Sequence, residues 1–476
     1  MLMNLEELAW LRDNGLTVDL FAGGGGWTCG FERALGRNLD IALNHDPFAV
    51  TLHAMNHPRT HHICQDVWHA DPAEAIRGRP VFWLHASPSC TQFSRSRRAM
   101  PAENQMREMG WRVVEWAKVA RPVVITIENV KEYLDWGPLG SDGFPIKERR
   151  GETWRAFVQA LRDLGYDIDW RLIDSADFGA PTARERLLVI ARRDGIPIEW
   201  PAATHGPSAG KPYAEAGDHI DWSIPAPSIF TRRKPLAPAT LTRILKGFQR
   251  FIAEDPSPYL APPGTRVGDG QDRADLVAAF LAQNHALLPG RSARKPASTI
   301  CTKAAGQGLV TASFINVLRN NAVGTPMNSP LNTLCASGGH FAEVRVAAEE
   351  VRTAAYGVGF YSTGGGQLKD LGGPMGTITC KDRFAIVTIH GVPHRLVDIG
   401  FRFLQAHELW GMQGFEVGPA FARDNYITAP IANGKPLSQE RQKKLIGNSV
   451  VPHVAFAITS SILKTIDRYR PLPMAA

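Results

Sequence analysis

Cys90 lies in the loop SPSCTQFSRSR, directly after the apolar run VFWLHA and beside Arg95, Arg97 and Arg98. Positive charge near a thiol raises its thiolate fraction, which a cysteine nucleophile needs. Taken alone, a single cysteine is far more often a small buried apolar residue. The next apolar run, RPVVITIENV, ends in Glu128 and Asn129. A carboxyl group leaving a buried strand meets partly apolar surroundings, which suit a general acid. Further on, DFGAPTARERLLVIARR brings Arg184 and Arg186 two residues apart at the start of another run, a spacing that predicts both on one face of a strand. Each alone reads as a surface charge.

A fourth feature precedes these. In DLFAGGGGWTCGFERAL, Gly23 to Gly26 form a turn between a strand and a helix that begins near Trp27. Open α/β sheets bind cofactors at such turns, where glycine lets the backbone approach a ligand closely. The following runs end in ALNHDPF and CQDVW, so Asn44, His45, Asp46 and Asp66 fall at successive strand ends beside the turn. Such groups suit ribose hydroxyls and an adenine amine. The GxGxxG spacing of a pyrophosphate site is absent, so the expected cofactor is a nucleoside without pyrophosphate.

The elements that must position these groups are legible in the first two hundred residues. Strands are predicted over Thr17 to Phe21, Ile41 to Asn44, Val81 to Ala86, Val123 to Ile127, Ile168 to Ile173 and Arg186 to Ala191. Helical spacing runs between them, over Arg107 to Val119 and Thr153 to Leu164. The alternation predicts an α/β fold, a doubly wound sheet covered by helices on both faces. From about His205 the chain turns rich in Pro, Gly and Thr, as a second, smaller β-rich domain would be. The expected division is 1–204, 205–400, and a segment 401–476 that completes the first domain. Three phrases recur in the second domain, at 295–311, 329–344 and 373–388, each with a Pro followed three residues later by Thr. Their uneven spacing predicts repeated hairpins and excludes a solenoid.

Length and composition bound the rest. At 476 residues and 44% apolar, the chain can bury a large core and divide into two or more units. A formal charge of +7 makes a polyanion a plausible partner. The six cysteines form no CxxC pair, which fits a reduced intracellular setting. The start lacks a signal peptide's features, and no apolar run approaches the roughly 20 residues that span a bilayer. A soluble cytoplasmic protein, monomeric and without membrane association, is expected. His45, His53, His57, His61, His62 and His69 crowd one region, and they are read as structural, with no metal.

Taken in order, DLFAGGGG, PSCTQFS, ENV at 128–130, PTARERL at 181–187, RFLQAHELWGMQGF at 402–415 and GNSVVP at 447–452 resemble the DNA (cytosine-5)-methyltransferase family over nearly the whole chain. The phage and bacterial members are the nearest in pattern. The resemblance implies S-adenosylmethionine as cofactor, surrounded by Phe21, Gly23, Gly25, Asn44, Asp66, Val67 and Asn448. It implies Cys90, Glu128, Arg186 and Arg184 at the target base, and double-stranded DNA as partner, contacted by Ser94, Arg95, Arg97 and Arg98. The region 205–400 corresponds in position to the family's target-recognition region. Ser89 stands where the family usually has proline, Asn44 where it has an acidic residue, and Thr182 where it has glutamine.

The family's chemistry follows from the weak nucleophilicity of cytosine C5. The resemblance implies that the Cys90 thiolate adds to C6 while Glu128 donates to N3 and Arg186 holds O2, which would activate C5 toward the methyl group. The base must leave the duplex for this. Two rivals remain at the level of sequence: the same chemistry on an RNA cytosine, and a DNA-binding regulator that keeps the fold without turnover.

Overall fold

The computed structural model describes residues 3–89, 108–255, 257–263, 265, 276–283, 290–300, 307–316, 386–389, 392–416, 426–427, 431–432 and 435–469. Two compact units are resolved: Met1–Ala214 with Ser298–Thr302 and Leu409–Ala476, and Glu215–Ala297 with Lys303–Glu408.

The first unit is built on strands β1 (Leu16–Leu20), β2 (Ile41–Asn44), β3 (His61–Cys64), β4 (Val81–Ala86), β5 (Val124–Asn129), β6 (Asp167–Asp174), the short β7 (Thr182–Ala183) and β8 (Glu185–Arg192). Seven of them form one sheet in the order β3-β2-β1-β4-β5-β8-β6. The steps from β3 through β5 are parallel, whereas β8 runs antiparallel to both β5 and β6. The connection from β6 to β8 is too short for a crossover helix, which leaves an antiparallel return as the available path. This has a functional consequence. The start of β8, not its end, lies at the carboxyl edge of the parallel strands, where Leu187 pairs with Asn129 and Arg186 with Ile173.

Central strands buried on both faces read as nearly continuous apolar runs, which is why the sequence locates them. The alternation shows in the packing. Ile125, Ile127, Leu187, Val189 and Ala191 face one layer, formed by α5 (Met109–Ala120) and α6 (Glu152–Asp163). Val124, Leu188 and Ile190 face the other layer. That layer holds α1 (Leu5–Asn14), α2 (Gly26–Leu35) and, from the far end of the chain, α10 (Pro452–Tyr469). The remaining helices of the unit are α3 (Pro47–Asn56), α4 (Pro72–Ile76) and α9 (Gln439–Asn448). α8 (Ala406–Met412) spans the boundary between the units.

Gly26 and Gly30, one helical turn apart on α2, let the return segment pack against the helix. A Cβ at Gly26 would fall 2.0 Å from Val450 O, and one at Gly30 would fall 2.1 Å from Pro452 O. Gln439–Tyr469, which holds α9 and α10, is long and apolar enough by length and composition alone to cross a membrane, a property that the core helix of a folded unit shares. Its apolar residues Val454, Ala455, Ile458, Ile462 and Ile466 are spent in the core of the first unit.

The second unit has a five-stranded antiparallel sheet, β10-β9-β12-β14-β13, formed by β9 (Leu276–Gln283), β10 (Arg291–Ser292), β12 (Gln307–Asn316), β13 (Ile386–Ile389) and β14 (Val392–Phe403); β11 is the two-residue Ala297–Ser298. Helix α7 (Pro238–Phe248) lays Ile244, Leu245 and Phe248 on Ala278, Phe280, Val310, Ile399 and Phe401. Arg402 and Glu408, both buried, form a two-pronged ion pair at 2.7 and 2.8 Å, and Glu408 also accepts from Asp221 N and Gln405 N. The second of the three recurring phrases lies outside the described residues, and the other two are described only in part.

Candidate active site

The backbone leaves β1 under strain. Phe21 has φ 64°, Gly23 54° and Gly25 80°. An aromatic residue in the left-handed region costs on the order of 1–3 kcal/mol, and such strain collects at ligand sites. The glycines serve different ends. A Cβ at Gly25 would meet His57 Nε2 at 2.9 Å, and one at Gly24 would meet the Trp410 ring at 3.1 Å. With Gly26, these two are required by packing. Gly23 is different: the nearest atom to its Cβ position is Phe21 O at 3.7 Å, so its side opens outward. Gly25 caps α2 with no side-chain hydrogen bond, which leaves the helix N-terminus bare of a side-chain acceptor.

Around this turn, Asn44 ends β2 and accepts from Asp46 N at 2.9 Å, while Asp46 caps α3 through Phe48 N. Asp66 is half-buried and accepts from Trp68 N at 3.0 Å. Val67 is buried, and its carbonyl accepts from Arg112 Nε at 3.1 Å. Asn448 is the last residue of α9 and is exposed.

At the neighbouring strand ends, Ser87 N donates to Leu20 O and Ser87 Oγ to Phe21 O, at 3.2 and 3.3 Å. Pro88 O accepts from Asn129 Nδ2 at 3.1 Å. The root of the cysteine loop is thus tied both to the strained turn and to the end of β5. Cys90, Ser94, Arg95, Arg97 and Arg98 lie outside the described residues.

Glu128 and Arg186 come together as the strand order requires. Arg186 Nε lies 3.2 Å from Glu128 Oε1, with the side chains 17% and 11% exposed. The contact lacks hydrogen-bond alignment, so Oε1 is a buried acceptor without a hydrogen-bond partner among the described residues. Arg184 does not join them. It falls between β7 and β8, outside strict strand alternation, and donates to Gly447 O at 3.0 Å and Ile300 O at 3.4 Å. The expectation that both arginines serve one face is corrected by that break in the strand.

The crowded histidines divide as well. His45, His61 and His69 are exposed. Beneath the turn, Thr28 Oγ1 donates to Asp19 Oδ2 at 2.9 Å and lies 3.0 Å from His53 Nε2, while His53 Nδ1 lies 2.8 Å from His62 Nε2. His57 Nδ1 pairs with Glu32 at 2.8 Å. Burial pushes the Asp19 carboxyl up to about 8, opposed by the Thr28 hydrogen bond. It pushes His53 well below the ordinary imidazole range, helped by His57 and His62. No group of three or more His, Cys, Asp or Glu able to hold a metal is found among the described residues.

Three supporting residues, Trp410, Tyr426 and Ser175, have no role assigned from the sequence. Trp410 and Tyr426 buttress the glycine turn, the tyrosine hydroxyl donating to Gly24 O. The aromatic spacing in WGMQGF carries a hint of this, since Trp410 and Phe415 pack edge to face at 4.6 Å. Ser175, which fixes the bend at Arg184, gives no signal in the sequence.

A sheet of this order, with a strained glycine turn after its first strand and a carboxylate–guanidinium pair at the same edge, defines an α/β unit with a candidate ligand site at the carboxyl edge of its parallel strands. Residues 16–220 match the C-5 cytosine-specific DNA methylase family. The type II methyltransferase M.AquIA of Picosynechococcus sp. is 28% identical over 228 residues, 44% of this chain and 89% of that protein. The type II methyltransferase M.XorII of Xanthomonas oryzae pv. oryzae is 28% identical over 240 residues, 48% of this chain and 53% of that protein. The chain thus spans most of the first relative and about half the length of the second. The S. pombe Dnmt2 methyltransferase aligns with a TM-score of 0.46 at 13% identity, over 94% of this chain and 98% of that one. Over residues 16–220 this chain is thus similar to the C-5 cytosine-specific DNA methylase family.

Proposed function

We propose that this protein methylates C5 of cytosine in double-stranded DNA, with Cys90 as nucleophile and S-adenosylmethionine as methyl donor. The observation that carries the reading is the Glu128–Arg186 pair, set at the same sheet edge as the strained turn and beside the root of the Cys90 loop.

The turn fits such a cofactor. Gly23 presents open backbone, and the bare N-terminus of α2 offers N–H donors to a carboxylate. Phe21, Gly23, Gly25, Asn44, Asp66, Val67 and Asn448 are the residues that would hold it. When bound, it supplies an electrophilic methyl group.

The chain's own groups do the rest. Glu128 gives a proton toward N3 of the base and Arg186 steadies the O2 edge, so the ring accepts the Cys90 thiolate at C6. Electron density then gathers at C5. Loss of the C5 proton after methylation expels the thiolate and frees the base. Ser94, Arg95, Arg97 and Arg98 supply contacts to DNA, and the second unit serves as the target-recognition domain. Phosphate contacts of that kind predict a steep fall of affinity with salt.

The reading is tested by incubating a random-sequence plasmid with the protein and S-adenosylmethionine, then mapping modified cytosines at base resolution. Methylated cytosines in one sequence context, absent with Cys90→Ala, are expected. Wild-type protein that modifies no cytosine in DNA, or modifies only cytosine in RNA, refutes it.

A further inference from the structure

Arg184 is 4% exposed and is held by its own backbone. Ser175 Oγ donates to Thr182 O at 2.7 Å and accepts from Arg184 N at 3.1 Å, and Ser175 N donates to Arg184 O at 3.2 Å. The bend so fixed, and not the alternation of β8, sets the direction of the guanidinium. Its Nη2 reaches Gly447 O and its Nη1 reaches Ile300 O, while Thr299 Oγ1 donates to Ala183 O at 3.0 Å.

The partner at Gly447 has a physical reason. Gly447 is the next-to-last residue of α9, and the last four carbonyls of a helix have no partner inside it. That end of a helix also attracts a cation. Ser449 N takes Ile446 O, Gln413 Nε2 takes Ser449 O, and Arg184 takes Gly447 O. The turn so pinned begins at Asn448 and continues onto α2, where Val450 O and Ser449 Oγ fill the space that a Cβ at Gly26 would need. A shift at Gly447 therefore reaches the N-terminus of α2 through direct contact.

We propose that Arg184 is a positioning residue for cofactor binding: anchored on one side at Ile300 O, it holds the 447–451 turn against the N-terminus of α2, and it does not touch the base. The proposal rests on the cofactor site described above. It separates two arginines that the sequence presents as a pair, Arg184 for the cofactor side and Arg186 for the base.

The test is calorimetric titration of the full chain with S-adenosylmethionine in the absence of DNA, alongside the KM for S-adenosylmethionine and kcat on DNA. Arg184→Met fills the volume but donates nothing, and its Kd is expected to weaken by about tenfold or more, the effect of one lost charged hydrogen bond. Arg184→Lys, with one donor group able to reach one carbonyl, should recover part of that loss. Arg186→Met should bind within about twofold of wild type. In both Arg184 variants KM for S-adenosylmethionine should rise more than kcat falls. Wild-type Kd in Arg184→Met together with lost kcat would overturn the proposal and move Arg184 to the base. Should Arg184→Met fail to fold by circular dichroism, a wild-type Kd in Arg184→Lys overturns the proposal equally, and a weakened Kd supports it. A wild-type chain that binds no S-adenosylmethionine overturns the cofactor reading itself, and that outcome is distinct because it precedes any variant.

Discussion

Asn129 Nδ2 donates to Pro88 O at 3.1 Å while Asn129 Oδ1 accepts from Val130 N at 2.9 Å, so one buried amide fixes both the end of β5 and the root of the cysteine loop. Glu128 is its chain neighbour. The geometry between the proposed acid and the loop of the proposed nucleophile therefore passes through Asn129.

Asn129→Ala leaves Pro88 O without this donor, at a cost of about 1–3 kcal/mol in stability. Because a displacement of an ångström can cost about a hundredfold in rate, kcat on DNA should fall by at least about tenfold with the Kd for S-adenosylmethionine little changed. Asn129→Asp keeps the acceptor for Val130 N and loses the donor, so it should resemble the alanine variant. Full activity in Asn129→Asp would contradict this account.

The glycines of the turn should separate by measurement. Gly26→Ala drives a Cβ to 2.0 Å from backbone at Val450 and is expected to destabilise the first unit by about 3 kcal/mol or more, seen as a lower urea midpoint. Gly23→Ala meets only the strain of its positive φ, so the fold should survive while cofactor affinity falls. Equal destabilisation by the two substitutions would show that Gly23 is a packing residue too.

Arg192 and Asp194 form a fully buried ion pair at 2.7 Å, with Arg192 Nη1 also donating to Thr465 Oγ1 and so joining β8 to α10. Arg192→Met strands Asp194 as a buried charge and should cost about 3–5 kcal/mol. Adding Asp194→Leu removes that charge and should restore part of the loss in the same denaturation experiment. No recovery in the double variant would show that the cost lies in the lost tie to Thr465.

The Asp19 carboxyl supplies a pH signature. Its folded value, raised from 3.8 to about 8 by burial, lies above the unfolded one, so between these values the folded chain holds a proton that the unfolded chain has released. Stability from this group is complete below about pH 4 and declines as pH rises through about 8. His53 acts oppositely: held neutral by burial, it makes the folded state less favourable as pH falls below the ordinary imidazole range. Asp19→Asn should therefore flatten the loss of stability from pH 6 to pH 8.5 relative to wild type. Parallel curves for the two proteins over that range would contradict the assignment.

How much of this was legible in the sequence depends on which force set each feature. Central strands buried on both faces announce themselves as apolar runs, and β2 and β4 lie where they are expected, with the other predicted strands shifted at one or both ends. The antiparallel course of β8 is not visible in the run RERLLVIAR; it follows from the short link after β6, which is a statement about chain length and not about residue type. The divergence of Arg184 from Arg186 was hidden for a related reason: the rule of alternation holds only inside a strand, and Ser175 breaks the strand one residue early. The glycine turn was legible as a turn, yet three of its four glycines answer to His57, Trp410 and Val450, partners far away in sequence.

In the proposed reaction Cys90 becomes covalently joined to C6 of a DNA cytosine. A duplex carrying 5-fluorocytosine in the mapped target sequence, incubated with the protein and S-adenosylmethionine, blocks the final loss of the C5 substituent and should trap the pair as a complex stable to denaturing electrophoresis. The account predicts that complex with wild-type protein and its absence with Cys90→Ala. A complex that persists in Cys90→Ala, or none with any cytosine polymer, would contradict it.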